Sequence, residues 1–296
     1  MKLLSPLQDL SEKTTRSQLT VGPILALETS GKSASVAIAW PDGRVASLET
    51  DPSIGSARTL APAIAAILSS NELTAADLVA IAVTVGPGSF TGLRVGVATA
   101  KSMAYALRIP TIAVDSLETM AFETALRLAS GSSDQKSLSP YLVWTVLDAY
   151  RGELFAALWL INPSETDSQV TEIATSQLVD STAWTDAILT GNDAFSIAFP
   201  EKIEMPERRR LVLVGPGLTR CPRLLDPAAD YGFTTPTGIA PRATMVAAIG
   251  RRKLMLDQTI NAFHLMPVYL RESAAEEKLS KSRTTSPDSS KMNPSC

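Results

Sequence analysis

Histidine and cysteine are nearly missing from this chain of 296 residues: His264 is the one histidine, and Cys221 and Cys296 are the two cysteines. A protein metal site of the His/Cys type takes three or four such ligands, so no catalytic or structural metal is expected. A lone histidine outside any G-x-S-x-G frame leaves Ser89 without a plausible base, which excludes a Ser-His-Asp hydrolase. Two cysteines build no disulfide framework and suit a reducing compartment, so a cytoplasmic location is expected. Charge is also sparse in net terms: 27 Lys and Arg against 30 Asp and Glu leave −3. Such a chain does not grip a polyanion unaided. The basic runs Arg208-Arg209-Arg210 and Arg251-Arg252-Lys253 read as solvated faces. No apolar run is long enough to span a membrane and no signal peptide is expected.

What is present is a 45% hydrophobic content, enough to bury the core of one large or two modest domains. The most informative stretch is Val83-Thr84-Val85-Gly86-Pro87-Gly88-Ser89-Phe90-Thr91-Gly92-Leu93-Arg94-Val95-Gly96. An apolar strand, Leu78 to Val85, runs into two glycines around a proline, which demand a tight turn. Ser89 or Thr91 can cap the helix that follows, expected over Thr91 to Leu107. Its small residues, among them Gly96, Ala98, Ala100, Ser102, Ala104 and Ala106, let another backbone come close. The turn lacks the Gly-Lys-Ser/Thr of a P-loop. Gly86, Gly88 and Gly92 approximate a dinucleotide fingerprint, and Asp115 follows about 20 residues later, as a ribose-binding acid would. The glycine spacing is one residue too long, however, and this is not the first strand of the domain.

Taken in order, residues 1–20 are polar and read as an extension outside the fold. Ile24 to Ser30, Ala34 to Trp40 and Arg44 to Glu49 predict an antiparallel meander with a turn at Pro41-Asp42-Gly43. Apolar residues at helical spacing predict a helix over Thr59 to Leu68. After the strand–turn–helix stretch come a strand at Thr111–Val114, a helix over Leu117–Leu128 and a Ser-rich connection at 131–139. A second hairpin follows: Tyr141–Leu147, a turn Asp148-Ala149-Tyr150-Arg151-Gly152-Glu153, and Leu154–Ile161. Val212-Leu213-Val214 ends in a second Gly-Pro-Gly, at Gly215 to Gly217, and Arg242–Leu256 reads as an amphipathic helix. Pro267 to Arg271 is a short extended segment, and the polar residues from 274 on are expected to be disordered. Two hairpin-led α/β units of this kind predict a two-lobed actin-like ATPase (ribonuclease H-like) fold. The first lobe is expected over 21–116 and the second over 117–273.

Four stretches stand in a telling order: Ile24 to Ser30, Gly86 to Arg94, Asp148 to Glu153 and Pro267-Val268-Tyr269-Leu270-Arg271. Together they resemble the TsaB family, once grouped with glycoprotease-like proteins, over about Ile24 to Arg271. The family often has Asp at the position of Glu28, Arg at that of Tyr150, and a His-containing segment where this chain has Ser56. The resemblance implies the same two-lobed fold. It also implies a non-catalytic, activating role in forming threonylcarbamoyladenosine beside the anticodon of tRNA. The implied partners are a TsaD-like protein, which transfers the threonylcarbamoyl group, and a TsaE-like ATPase, with tRNA met through the complex. A homodimer is the alternative state of the chain alone.

In that family the first two helices of the first lobe pack on a partner. The resemblance therefore makes Leu93, Arg94, Val97, Ala100, Lys101 and Ala104 the candidate partner-binding residues, beside the glycine-turn motif Gly86, Pro87, Gly88, Ser89, Thr91 and Gly92. Without it, the helix would read as core. Arg94 either pairs with an acid on a partner or anchors the glycine turn from inside. Glu28, Thr29 and Ser30 stand where an actin-like ATPase approaches phosphate, so they are the candidate nucleotide contacts. Against that stands a strand-end turn satisfied by local hydrogen bonds, which the family's non-catalytic role favours. Glu28 and Asp148 form either an acid pair or two separately capped carboxylates, the latter being preferred. No cofactor is expected beyond a nucleotide shared at the partner interface. The competing function is a nucleotide-dependent α/β enzyme, kinase-like or dinucleotide-binding.

Overall fold

The computed structural model describes residues 21–130, 140–163, 169–190, 210–226 and 234–271. The expected N-terminal extension, the Ser-rich connection at 131–139 and the tail from 274 lie outside them. So do Arg208, Arg209 and Cys296.

The first sheet is built from β1 (Ile24–Glu28), β2 (Ser35–Ala39), β3 (Val45–Glu49), β4 (Ala80–Gly86) and β5 (Thr111–Asp115), in the order β3-β2-β1-β4-β5. The β1–β2 and β2–β3 pairs are antiparallel and β1–β4–β5 are parallel. Every residue of β1, β2 and β4 is buried, because both faces of the sheet are covered. One face carries α1 (Ser56–Ser70) and α2 (Phe90–Leu107). There Leu25, Leu27, Val36, Ile38, Ile81 and Val83 meet Leu60, Ile64, Ile67, Val97, Ala100 and Ala104. Each Leu or Ile so buried contributes roughly 1.5–3 kcal/mol relative to exposure.

The second sheet repeats the plan. It consists of β6 (Tyr141–Asp148), β7 (Glu153–Asn162), β8 (Gln169–Asp180) and β9 (Leu211–Val214), ordered β8-β7-β6-β9, with β6 antiparallel to β7 and parallel to β9. A single parallel bridge, Val212 to Thr234, marks the place that β5 takes in the first sheet. Helix α4 (Ser181–Thr190) covers one face, with Trp184 edge-on to Trp144 at 5.9 Å. After β9, Gly215-Pro216-Gly217 opens two 3-10 turns, Pro216–Arg220 and Pro222–Leu225, where the first lobe has the long α2.

The helices that close each unit are exchanged. Helix α3 (Ser116–Ser130) leaves β5 of the first sheet but packs Leu117, Met120, Ala121 and Ala125 on the second, against Val143, Leu147 and Val214. Helix α5 (Ala243–Met255) returns from the second unit and lays Ala243, Val246, Ala247 and Ile249 on Ile24, Ala26, Ala80, Ala82, Ile112 and Val114 of the first. The two helices touch each other and form the middle layer of the molecule. By packing, α5, Ala262 and Leu265 lie with the first sheet although they follow the second in sequence. A sequence boundary marks where the chain leaves a strand, not which sheet its next apolar face covers.

Candidate functional site: the cleft and the first-lobe helices

The C-terminal ends of β1 and β4 bring the first two telling stretches into contact. Ser89 donates its backbone N–H to the Ser30 carbonyl at 2.8 Å. A Cβ on Gly88 would stand 2.6 Å from the Ser30 carbonyl oxygen, and one on Gly92 would overlap the Thr29 carbonyl. Glycine is required at both because β1 and the start of α2 meet backbone to backbone. Gly86 lies at φ +133 and its Pro87 bond is cis. Ser89 is the N-cap of α2, its hydroxyl accepting from the Gly92 N–H at 3.3 Å, while Thr91 is exposed.

Glu28 is almost fully buried at the end of β1. Its carboxylate accepts from the Ser30 N–H at 2.6 Å and the Ser30 hydroxyl at 2.5 Å. Burial pushes its pKa up to about 7, against the pull of the bonds from Ser30, Thr84 and Gly31. Thr29 is also buried; its N–H donates to the Thr84 hydroxyl at 3.3 Å, and its own hydroxyl has no partner. Asp148 holds the equivalent place in the second lobe. Arg220 grips it with Nε at 3.0 Å and Nη2 at 2.8 Å. Partial burial opposes ionisation of Asp148, but Arg220, the Tyr150 N–H and the charge of Lys32 hold its pKa below the ordinary value. Glu28 and Asp148 are thus two separately satisfied carboxylates.

An actin-like ATPase fold implies a nucleotide and its metal between the lobes, and here the groups at that place are engaged with one another. Glu28 is turned onto Ser30, Asp148 is neutralised by Arg220, and the N-terminus of α2 is capped by Ser89 and packed on Thr29. Among the described residues no three His, Cys, Asp or Glu gather into a metal-binding group. Asp115, the acid of the approximate dinucleotide fingerprint, is engaged as well. Its carboxylate caps α3 through the Leu117 and Glu118 N–H groups and accepts from Ser176 of the other lobe at 2.8 Å. Burial raises its pKa to about 6.

Helix α2 has three faces, and the candidate partner residues lie on two of them. Leu93, Val97, Ala100 and Ala104 are buried, the last three in the core between the helices and the first sheet. Arg94 and Lys101 face residues 262–271. Arg94 donates Nε to the Tyr269 hydroxyl at 3.1 Å and sits 3.8 Å over the Phe90 ring, and Lys101 donates to the Phe263 carbonyl at 3.3 Å. The third face, Ala98, Ser102 and Ala106 with half-buried Val95, is exposed, and α1, which contacts α2, exposes Ala57, Ala61, Ala65 and Ser69. Sequence reasoning missed Arg220 and assigned no role to Arg271. His264 lies on an exposed turn. No helix of the described residues is long and apolar enough to cross a membrane.

The repeated strand order, the exchanged helices and the two Gly-Pro-Gly turns define a two-lobed protein of the actin-like ATPase class. Residues 53–200, half of the chain, match the family model described as TsaD: tRNA N6-adenosine threonylcarbamoyltransferase. The chain belongs to that family, and its named relatives place it with TsaB. It is 35% identical over 136 residues to the tRNA threonylcarbamoyladenosine biosynthesis protein TsaB of Bacillus subtilis, covering 46% of this chain and 54% of that one. It is 29% identical over 262 residues to the protein of the same name from Escherichia coli, covering 86% and 97%. The chain thus matches about half the length of the first relative and nearly all of the second. Its fold matches that of YeaZ from Pseudomonas aeruginosa, with a TM-score of 0.61 at 21% identity over 84% of this chain and all of that one.

Proposed function

We propose that this chain is an activating subunit in the formation of threonylcarbamoyladenosine in tRNA, and that it contributes a docking surface rather than a catalytic centre. The observation that carries this reading is the set of exposed small residues on α1 and α2, two helices in contact, in a fold whose cleft carboxylates are already engaged. Two helices that present Ala and Ser at each turn let a second helix pair approach closely. The partner is a TsaD-like protein carrying the transfer chemistry, with a TsaE-like ATPase acting on the pair; in its absence a second copy of this chain takes the same face. A nucleotide used by the assembly is held by a partner or shared at the interface, and tRNA is met through the complex, in the cytoplasm.

The test is reconstitution with tRNA, threonylcarbamoyl-adenylate and the TsaD-like and TsaE-like proteins of the same organism, each omitted in turn. Leaving out this chain abolishes multiple-turnover modification, and this chain alone gives none. Modification by this chain alone, or full modification without it, overturns the reading. Mg-dependent ATP turnover by the isolated chain favours the nucleotide-dependent enzyme instead.

A further inference from the structure

Residues 260–271 leave α5 and run across both lobes. Ile260 bridges to Thr111 at the edge of β5 and Leu265 is fully buried in the core under α2. Val268 donates its N–H to the Val85 carbonyl at 2.7 Å, and its own carbonyl lies where a Cβ on Gly86 would be. Tyr269 stacks on Phe90 with ring centroids 4.7 Å apart and accepts the Arg94 bond. Two residues on, the chain has reached the other lobe. Leu270 packs on the second-sheet core. Arg271 donates to the Ala149 carbonyl at 2.5 Å and the Tyr150 carbonyl at 3.5 Å, and it pairs with Glu153.

We infer that this strap is an inter-lobe clasp, which holds the cleft at one opening so that the two lobes move as one body. Chain length sets the limit. Val268 is fastened in the first sheet and Arg271 on the β6–β7 turn, and three extended residues reach at most about 10 Å. The chain also crosses between the lobes at Asp115–Ser116 and again on its return into α5. Hinged two-lobe proteins rotate about a few such crossings. Here any rotation that parts the glycine turn from the β6–β7 turn pulls on the third crossing. It must strip the Tyr269 hydroxyl from Arg94 or the Arg271 fork from two carbonyls and a carboxylate. Bonds of that last kind are charge-assisted and individually the stronger sort.

The test uses the full chain and compares it with Arg271→Ala and Arg271→Lys. Hydrogen exchange is read at Tyr150–Gly152, where the fork attaches, and at Gly88 and Ser89, on the other lobe. The lobe-to-lobe distance is read by pulsed electron paramagnetic resonance from labels at Ser69→Cys and Thr182→Cys, both exposed helix positions, in a Cys296→Ser background. The parent chain gives one narrow distance. Arg271→Ala broadens it and speeds exchange at both turns by about tenfold or more, as loss of hydrogen bonds to a charged group implies. Arg271→Lys keeps a charge for Glu153 but loses the fork, so it falls between. If exchange rises only at Tyr150–Gly152 while Gly88, Ser89 and the distance stay unchanged, Arg271 anchors its own turn and the clasp is wrong. If Arg271→Ala does not fold, as judged by circular dichroism, the Lys variant decides on the same two readings.

Discussion

Gly92, in the first turn of α2, has the carbonyl of Thr29 where its Cβ would be. That contact fixes the start of α2 against the end of β1, so the two motifs act as one structural unit. Gly92→Ala has to push helix and strand apart, which costs on the order of 2–3 kcal/mol as overpacking. The expected fall in melting temperature is about 5–10 °C for a protein of this size. Gly31→Ala is the control: its nearest neighbour would lie 3.8 Å away, and its melting temperature should match the parent. Equal melting of all three proteins would show that the contact relaxes freely.

The three faces of α2 predict opposite behaviour for adjacent residues. Val97→Glu buries an unpaired carboxylate in the core, a cost of several kcal/mol, and should leave little folded protein. Ala98→Glu, on the exposed face, should fold within about 0.5 kcal/mol of the parent. It should nonetheless weaken binding to the TsaD-like protein by tenfold or more, on the order of 1.4 kcal/mol, as should Ala61→Glu on α1. Titration calorimetry on the folded variants decides it; normal binding by both exposed variants would place the docking surface elsewhere.

Glu28 gives a pH signature. Its carboxyl titrates near 7 in the folded chain and near 4.5 when unfolded. An acid whose folded pKa is raised helps the fold most below the unfolded value and loses that help as pH rises through the folded one. Glu28→Gln has nothing to ionise. Its stability relative to the parent should therefore climb between about pH 4.5 and 7 and level off above, by up to about 3 kcal/mol for a shift of this size. Urea unfolding at pH 5 and pH 8 measures it. A difference between the two proteins that stays flat with pH would mean that Glu28 remains ionised throughout.

In the second lobe, Trp159 donates its indole N–H to the Thr145 hydroxyl at 2.8 Å, fully inside the sheet core. Thr145→Val keeps the shape and strands the donor, which should cost about 1–3 kcal/mol. Thr145→Ser keeps the acceptor and should cost less, a ranking that denaturant midpoints will show.

Much of this fold is written plainly in the chain. The expected helix Thr91–Leu107 is found at Phe90–Leu107, and the hairpin about Asp148–Glu153 at the expected turn, because a glycine turn and runs of apolar strand residues leave little choice. Strand β8 was not anticipated. Its sequence, QVTEIATSQLVD, lies at a sheet edge where one side stays wet, so few apolar residues mark it. The exposed row of small residues on α2 was not legible either. Small residues run round all of α2, and Gly96, Ala100 and Ala104 look no different in sequence from Ala98, Ser102 and Ala106. Only packing tells the two rows apart. Arg220 and Arg271 act on residues 72 and 122 positions away, a relation that no local pattern carries.

The exchange of α3 and α5 bears on how the chain is made. The first sheet is complete once residue 115 has been synthesised, and α1 and α2 can cover one side of it at once. The other side, with Ile24, Ala26, Ala80, Ala82, Ile112 and Val114, receives its cover only from α5, which begins at Ala243. For the more than one hundred residues of translation between them, the nascent protein carries a bare apolar sheet face. The first half to emerge is therefore the last to be sealed, and a chain cut short before Ala243 should be a substrate for chaperones rather than a working half.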